Sequence, residues 1–96
     1  MRTATIGSGS ISDRINGVTA QLKGCEDLHQ VEWAWSRIVR ALEDVSRRCW
    51  LVRSRGGEPP NLDGSLGWLA EVIHAHPALK GPGGELLLLI DRIAGR

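Results

Sequence analysis

The 96-residue sequence has no phenylalanine or tyrosine, only two cysteines, and no long apolar run. Its longest apolar run, residues 86–90, is far below the roughly 20 residues that a helix needs to cross a bilayer. Its first residues also lack the apolar segment of a secretory signal peptide. We therefore expect a soluble, cytoplasmic chain with no membrane partner.

Cysteine and histidine are too scarce and too badly spaced for a disulfide framework or a metal site. Cys25 and Cys49 are 24 residues apart, or roughly 36 Å along one helix, whereas bridged Cα atoms lie about 4.4 to 6.8 Å apart. His74 and His76 would diverge by about 200° on a helix and could not share one ion. We expect two reduced, mostly buried thiols, no metal and no cofactor.

Catalytic motifs are also missing. The segment GSGSIS, residues 7–12, resembles a dinucleotide-binding loop, but Ser12 stands where the third glycine is needed and no strand-helix-strand unit surrounds it. The segment GPGGE could present amides to an anion, yet Glu85 occupies that helix start. Because no nucleophile arrangement is recognisable either, we expect no catalytic activity and infer no small-molecule ligand.

Arginine and tryptophan dominate what the sequence does contain. Only Lys23 and Lys80 are lysines among the 12 basic residues, and all four aromatic residues are tryptophan, a bias typical of a high-GC genome, bacterial or phage. The net charge of +1 excludes a strong polyelectrolyte. The charge is uneven, however, because residues 28–55 are rich in arginine and residues 56–96 are rich in acids.

The apolar spacing predicts four helices. Helix 1 should begin near Ser10 or Ser12 and end at Gly24; the third and fourth helices should span residues 65–76 and 85–94, separated by loops rich in glycine and proline. The predicted fold is all-α: a small four-helix bundle-like domain over residues 10–96, made of two helical hairpins. Residues 1–9 are predicted to be a flexible leader.

One long central helix should start after Asp27, a good N-cap. Its apolar side chains alternate spacings of three and four, and they are Leu28, Val31, Trp35, Ile38, Leu42, Val45, Cys49 and Val52. We interpret this seam as the packed side of a bundle helix rather than a true coiled coil. At about 43 Å, the helix would overshoot a compact domain about 32 Å across.

Several large residues of this helix fall opposite the seam. Tryptophan and arginine are enriched where interfaces concentrate binding energy. The pattern therefore predicts a partner-binding surface, and its residues are Trp33, Arg37, Arg40, Arg47, Trp50 and Leu51. In the other interpretation, helices 3 and 4 pack across this side and bury both rings within the domain.

The function hypothesis is a non-enzymatic protein–protein interaction module that forms a homodimer or binds another protein through the long helix. The alternative is a small DNA-binding regulator that uses the arginine-rich side of that helix. Pairs four residues apart, such as Glu43 with Arg47, should neutralise much of that stripe. Glu26 and Asp27 at the helix start would also repel phosphate, so nucleic acid is the less favoured partner.

Overall fold

The computed structural model describes residues 8–95 and confirms the predicted all-α fold. Within that range there is no β-strand. The four α-helices are α1 (Ser8–Gly24), α2 (Leu28–Ser54), α3 (Asp63–Ala75) and α4 (Gly83–Ala94), with a 3-10 turn over Pro77–Leu79 between the last two.

The helices form two hairpins packed side by side, as predicted. Helix α1 packs on α2 and α3, and α4 packs on the same two neighbours. The hydroxyls of Ser12 and Ser65 lie 2.8 Å apart at the starts of α1 and α3. At the other end of this pair, the His76 ring bonds the Cys25 carbonyl. Helices α1 and α3 therefore run parallel.

Helices α2 and α4 also run parallel. At their C-terminal ends, Nη2 of Arg53 donates to the carbonyl oxygen of Ile93 at 2.9 Å. This contact satisfies one of the carbonyls that every helix leaves unpaired at its end, and it places a cation at the negative end of the α4 dipole. Gly95 follows with a φ of 81° and ends α4 in the left-handed conformation that glycine adopts without strain.

The start of α2 follows the predicted capping. Asp27 accepts a hydrogen bond from the amide of Gln30 at 2.9 Å, which satisfies one exposed donor of the first turn. At the far end, Gly56 has a φ of 83° and the amide of Gly57 bonds the Val52 carbonyl. The glycine pair therefore stops the helix before the proline-containing loop.

Three helices begin earlier than predicted. Helix α1 starts at Ser8, inside the predicted leader, and residues 1–7 of that leader lie outside the described residues. Helix α3 starts at Asp63, and α4 at Gly83 after Pro82. Glycine residues predict a loop, but the first turn of a helix tolerates glycine when a proline just before it fixes the backbone φ angle.

The buried side of α2 differs from the predicted seam. Leu28 is 46% exposed because it opens the helix, and Trp35 and Val52 are only half-buried. Ala34, expected beside the seam, is buried instead. A straight helix has 3.6 residues per turn, so its buried stripe drifts away from a strict seven-residue repeat. The buried residues of α2 are Val31, Ala34, Ile38, Leu42, Val45 and Cys49.

The prediction that the long helix overshoots the domain was wrong, because α4 and the residue before it reach both ends of α2: Leu28 lines a depression with Pro82, and Arg53 bonds Ile93. The molecule measures 40 × 34 × 21 Å, and 27 residues of α2 extend about 40 Å at 1.5 Å per residue. The expected diameter assumed a sphere, whereas the domain is flattened to two helix layers. Helix α2 therefore runs along the full length of the domain.

We predict that Leu42→Ala lowers the free energy of unfolding by about 2 to 5 kcal/mol, because this side chain is fully buried between the helices. Leu28→Ala, at the exposed start of the same helix, should cost under about 1 kcal/mol. Chemical denaturation measures both. A loss below about half a kcal/mol for Leu42→Ala would exclude α2 from the core.

A second prediction concerns the glycine pair that opens α4. A Cβ on Gly83 would lie 2.9 Å from Cγ2 of Ile73, whereas one on Gly84 would meet nothing within 4 Å. Gly83→Ala should therefore destabilise the fold by about 1 to 3 kcal/mol through overpacking. Gly84→Ala should leave stability unchanged or raise it by up to about 1 kcal/mol. Equal melting temperatures for the two variants would contradict this close approach.

Candidate interaction surface

Helix α2 is packed on one side only. Its inner side contacts α1 and α4, whereas Trp33 and Trp50 are 75% and 63% exposed. The other predicted partner-binding residues, Arg37, Arg40, Arg47 and Leu51, are exposed as well. The interpretation that helices 3 and 4 bury both rings is therefore wrong. The physical reason is that α4 packs along one flank of α2 and leaves its outer side open.

The structure does not bring Trp33 and Trp50 together. They are 17 positions apart, which separates them by about 25 Å along the helix axis and about 100° around it. Trp33 lines a depression between α1 and α2, bordered by Ala20, Gln21 and His29. Trp50 lines a different groove, between α2 and α4. The predicted surface therefore has two separate aromatic ends.

The groove of Trp50 continues along the whole boundary between α2 and α4, and we call it the α2–α4 groove. Its successive depressions share residues, so they form one continuous surface. Helix α2 contributes Leu28, Val31, Glu32, Trp35, Val39, Glu43, Ser46, Arg47 and Trp50. Helix α4 and the residue before it contribute Pro82, Glu85, Leu88, Leu89 and Arg92.

Arg47 and Trp50 are the groove residues that belong to the predicted surface, and Leu88 is an exposed apolar residue of the groove that does not. It is 64% exposed, whereas Leu86 and Leu89 are buried. In a run of five apolar residues on a helix, the third lies about 200° from the first, so they cannot all face one core. This periodicity was the available signal. What the sequence lacked was the knowledge that the outer side of α4 lies beside the exposed flank of α2.

Charge changes sign along the groove. Glu32 and Glu85 lie near the N-terminal ends of α2 and α4, and the depression there contains both. Arg47 and Arg92 lie together towards the C-terminal ends. Apolar side chains, among them Val39 and Leu88, occupy the middle beside Glu43. The groove therefore has an acidic end and a basic end, separated by apolar side chains and by Glu43.

Most of the arginine stripe is engaged within the chain. Nε of Arg48 and of Arg14 lie 3.1 and 3.4 Å from Oδ2 of Asp44, half-exposed ion pairs that contribute at most about 1 kcal/mol each. The Arg37 guanidinium lies 5.4 Å from the centroid of the Trp33 ring, a cation–π distance. Arg53 bonds the end of α4. Of the three arginines in the predicted surface, Arg40 and Arg47 therefore remain as the exposed charges.

Comparisons of the chain with protein-family models, with curated proteins and with solved structures find no significant match. Among residues 8–95, no three histidine, cysteine or acidic side chains are grouped to hold a metal ion. Over the same range, no helix combines the length and apolar character needed to span a membrane.

His76 has a structural role in the fold. Its Nδ1 accepts a hydrogen bond from the amide of Ala78 at 3.2 Å, so the ring proton lies on Nε2, which donates to the Cys25 carbonyl at 2.7 Å. Helix α3 has ended at Ala75, one residue earlier. The ring therefore ties the α3–α4 link to the end of α1, and both of its nitrogens are used.

The two cysteines are free of any disulfide and buried within the described residues. Burial raises the pKa of the Cys25 thiol, and the charge of Asp27 raises it further; Cys25 Sγ also donates to the Gln21 carbonyl at 3.3 Å. Burial likewise raises the pKa of the Cys49 thiol, partly offset by the positive charge of Arg53. Both directions favour the neutral thiol, which is a poor nucleophile.

We predict that alkylation of Cys25 and Cys49 at neutral pH is much slower in the folded protein than in the denatured chain. The folded rate should rise only when the pH exceeds the ordinary thiol pKa, because both folded pKa values are raised. Mass spectrometry after timed iodoacetamide treatment measures this. Reaction of either folded thiol at the denatured rate would contradict the prediction.

Proposed function

We propose that this chain is a small, non-enzymatic protein–protein interaction module that self-associates through the exposed side of α2. The observation that carries the proposal is the exposure of Trp33 and Trp50 on a helix whose opposite side is fully buried. We also propose a cytoplasmic location, because no membrane-spanning run is present in the sequence, and a bacterial or phage source, because of the arginine-rich composition.

The physical support is the free energy available from covering these rings. Removing roughly 150 Å² of tryptophan ring surface from water would stabilise the associated state by about 4 kcal/mol, before the entropy cost of association is subtracted. Leu51 and Leu88 add further exposed apolar surface. Arg40 and Arg47 supply the residue type that most often accompanies tryptophan in the energetic centres of interfaces.

The DNA-binding alternative has weaker support. Phosphate binding needs several unpaired cations on one surface. Here Arg37 lies over Trp33 and Arg48 is paired with Asp44. Arg53 is bonded to the end of α4, so three arginines of α2 have partners within the chain. A protein partner suits the remaining mixture of tryptophan, leucine and arginine better.

The test is the mass of the protein in solution as its concentration is raised. Light scattering should show a mass above that of one chain, and Trp33→Gln combined with Trp50→Gln should abolish association while far-UV helicity and stability remain unchanged. Trp68→Gln is the matched control, because Trp68 is also exposed but lies on α3 beside Lys23. That variant should associate like the unmutated protein.

A monomeric unmutated protein at high concentration would contradict the proposal. If the double replacement instead unfolded the chain, the two rings would belong to the core. A mobility shift of duplex DNA that weakens steeply with salt would favour the regulator.

A further inference from the structure

The α2–α4 groove has the properties of a surface that recognises itself. A two-fold axis places residue i of one copy against residue j of the other and residue j against residue i, and only residues at the axis meet their own equivalents. An interface between identical chains must therefore be complementary to its own rotated image. The groove meets this condition, because its acidic end and its basic end lie on either side of a centre that contains Val39, Leu88 and one charged residue, Glu43.

The spacing along α2 fits such an axis. Glu32 and Arg47 have their midpoint near Val39, and so do the two apolar groove residues Leu28 and Trp50. A second copy rotated by half a turn about Val39 would place its Arg47 opposite Glu32 and its Trp50 opposite Leu28. On α4, Glu85 and Arg92 have their midpoint at residues 88 and 89, both leucines of the groove.

Helix dipoles alone do not explain this arrangement. Glu85 in the first turn of α4 and Arg92 in its last turn are where a lone helix prefers these charges. Glu32 and Arg47, however, lie inside α2, past its first turn and before its last turn, where the effect of the helix dipole has faded. Their placement on one groove with opposite signs calls for a partner with the reverse order of charges.

We propose that two copies of this chain dimerise across the α2–α4 groove with their α2 helices antiparallel, the acidic end of each copy lying against the basic end of the other. This inference rests on the self-association proposed above and specifies its surface and geometry. Trp50 and Leu88 lie within the contact, and Trp33 lies outside it.

A second copy suits the groove better than a partner of one charge sign. A strongly acidic or basic partner would meet repulsion at one end, whereas two copies with a net charge of +1 each do not repel strongly. Helix widths of about 10 Å and the lengths of α2 and α4 give on the order of 600 Å² per chain, near the lower limit for a specific interface.

Charge exchange at Glu32 and Arg47 tests the antiparallel geometry. Glu32→Arg alone and Arg47→Glu alone each create two like-charge contacts, so each should weaken dimerisation at least about tenfold at low salt. The double variant exchanges the charges within one chain and should restore dimerisation to within about threefold of the original. Parallel helices would pair Glu32 with itself, and the single variants would then have no such effect.

Sedimentation equilibrium measures all four proteins, with far-UV circular dichroism to confirm folding. Glu71→Arg and Lys80→Glu, exposed positions outside the groove, are the matched controls and should change nothing. Leu88→Glu, which brings two like charges near the axis, should abolish dimerisation, whereas Trp33→Gln alone should not.

The outcomes separate the two proposals. Loss of dimerisation in the single variants and recovery in the double variant supports the antiparallel dimer. If the unmutated chain self-associates but the double variant does not recover, this geometry is overturned and self-association stands. If the unmutated chain is monomeric at every concentration, both proposals fail.

Discussion

The burial of one side of α2 is the constraint on which the rest of the structure depends. Its buried stripe contacts α1 on one flank and α4 on the other, so this helix joins the two hairpins. The same stripe determines what remains exposed, because a helix packed on one side must present its other residues to solvent. The exposed tryptophans, the arginines and the α2–α4 groove are all consequences of that single orientation.

Contacts at the helix ends hold this orientation in place. Arg53 joins the ends of α2 and α4, and His76 joins the link before α4 to the end of α1. Gly83 lets the start of α4 approach Ile73 closely. Because these contacts lie at the ends, side chains along the middle of the α2–α4 groove are free of the fold's polar network. Its exposed residues, such as Glu43 and Leu88, can therefore vary in charge and shape without loss of the bundle.

Much of the fold could be predicted from periodicity and capping. The spacing of apolar residues identified four helices, and Asp27 and Gly24 marked two of their ends correctly. The exposed start at Leu28 could not be predicted, because it depends on where the neighbouring helices end. The domain's shape was also beyond the sequence, since a sphere and a flattened bundle of the same length have the same composition.

The candidate surface was only partly predictable for a related reason. Residues opposite the seam of one helix can be identified from that helix alone, and Trp33 and Trp50 were. The groove requires knowledge of which two helices are neighbours and whether they run parallel. With that knowledge, Glu85 of α4 can be placed beside Glu32 of α2. Arg92 of α4 can be placed beside Arg47 of α2.

The most direct measurement of the central claim is the fluorine NMR spectrum of the fluorotryptophan-labelled chain at increasing protein concentration. The four tryptophans give four resonances, assigned by single replacements. If the exposed flank of α2 is the association surface, the Trp50 resonance shifts with concentration while the Trp68 resonance stays constant. Four resonances that do not change with concentration, or a shift of Trp68 alone, would contradict the account.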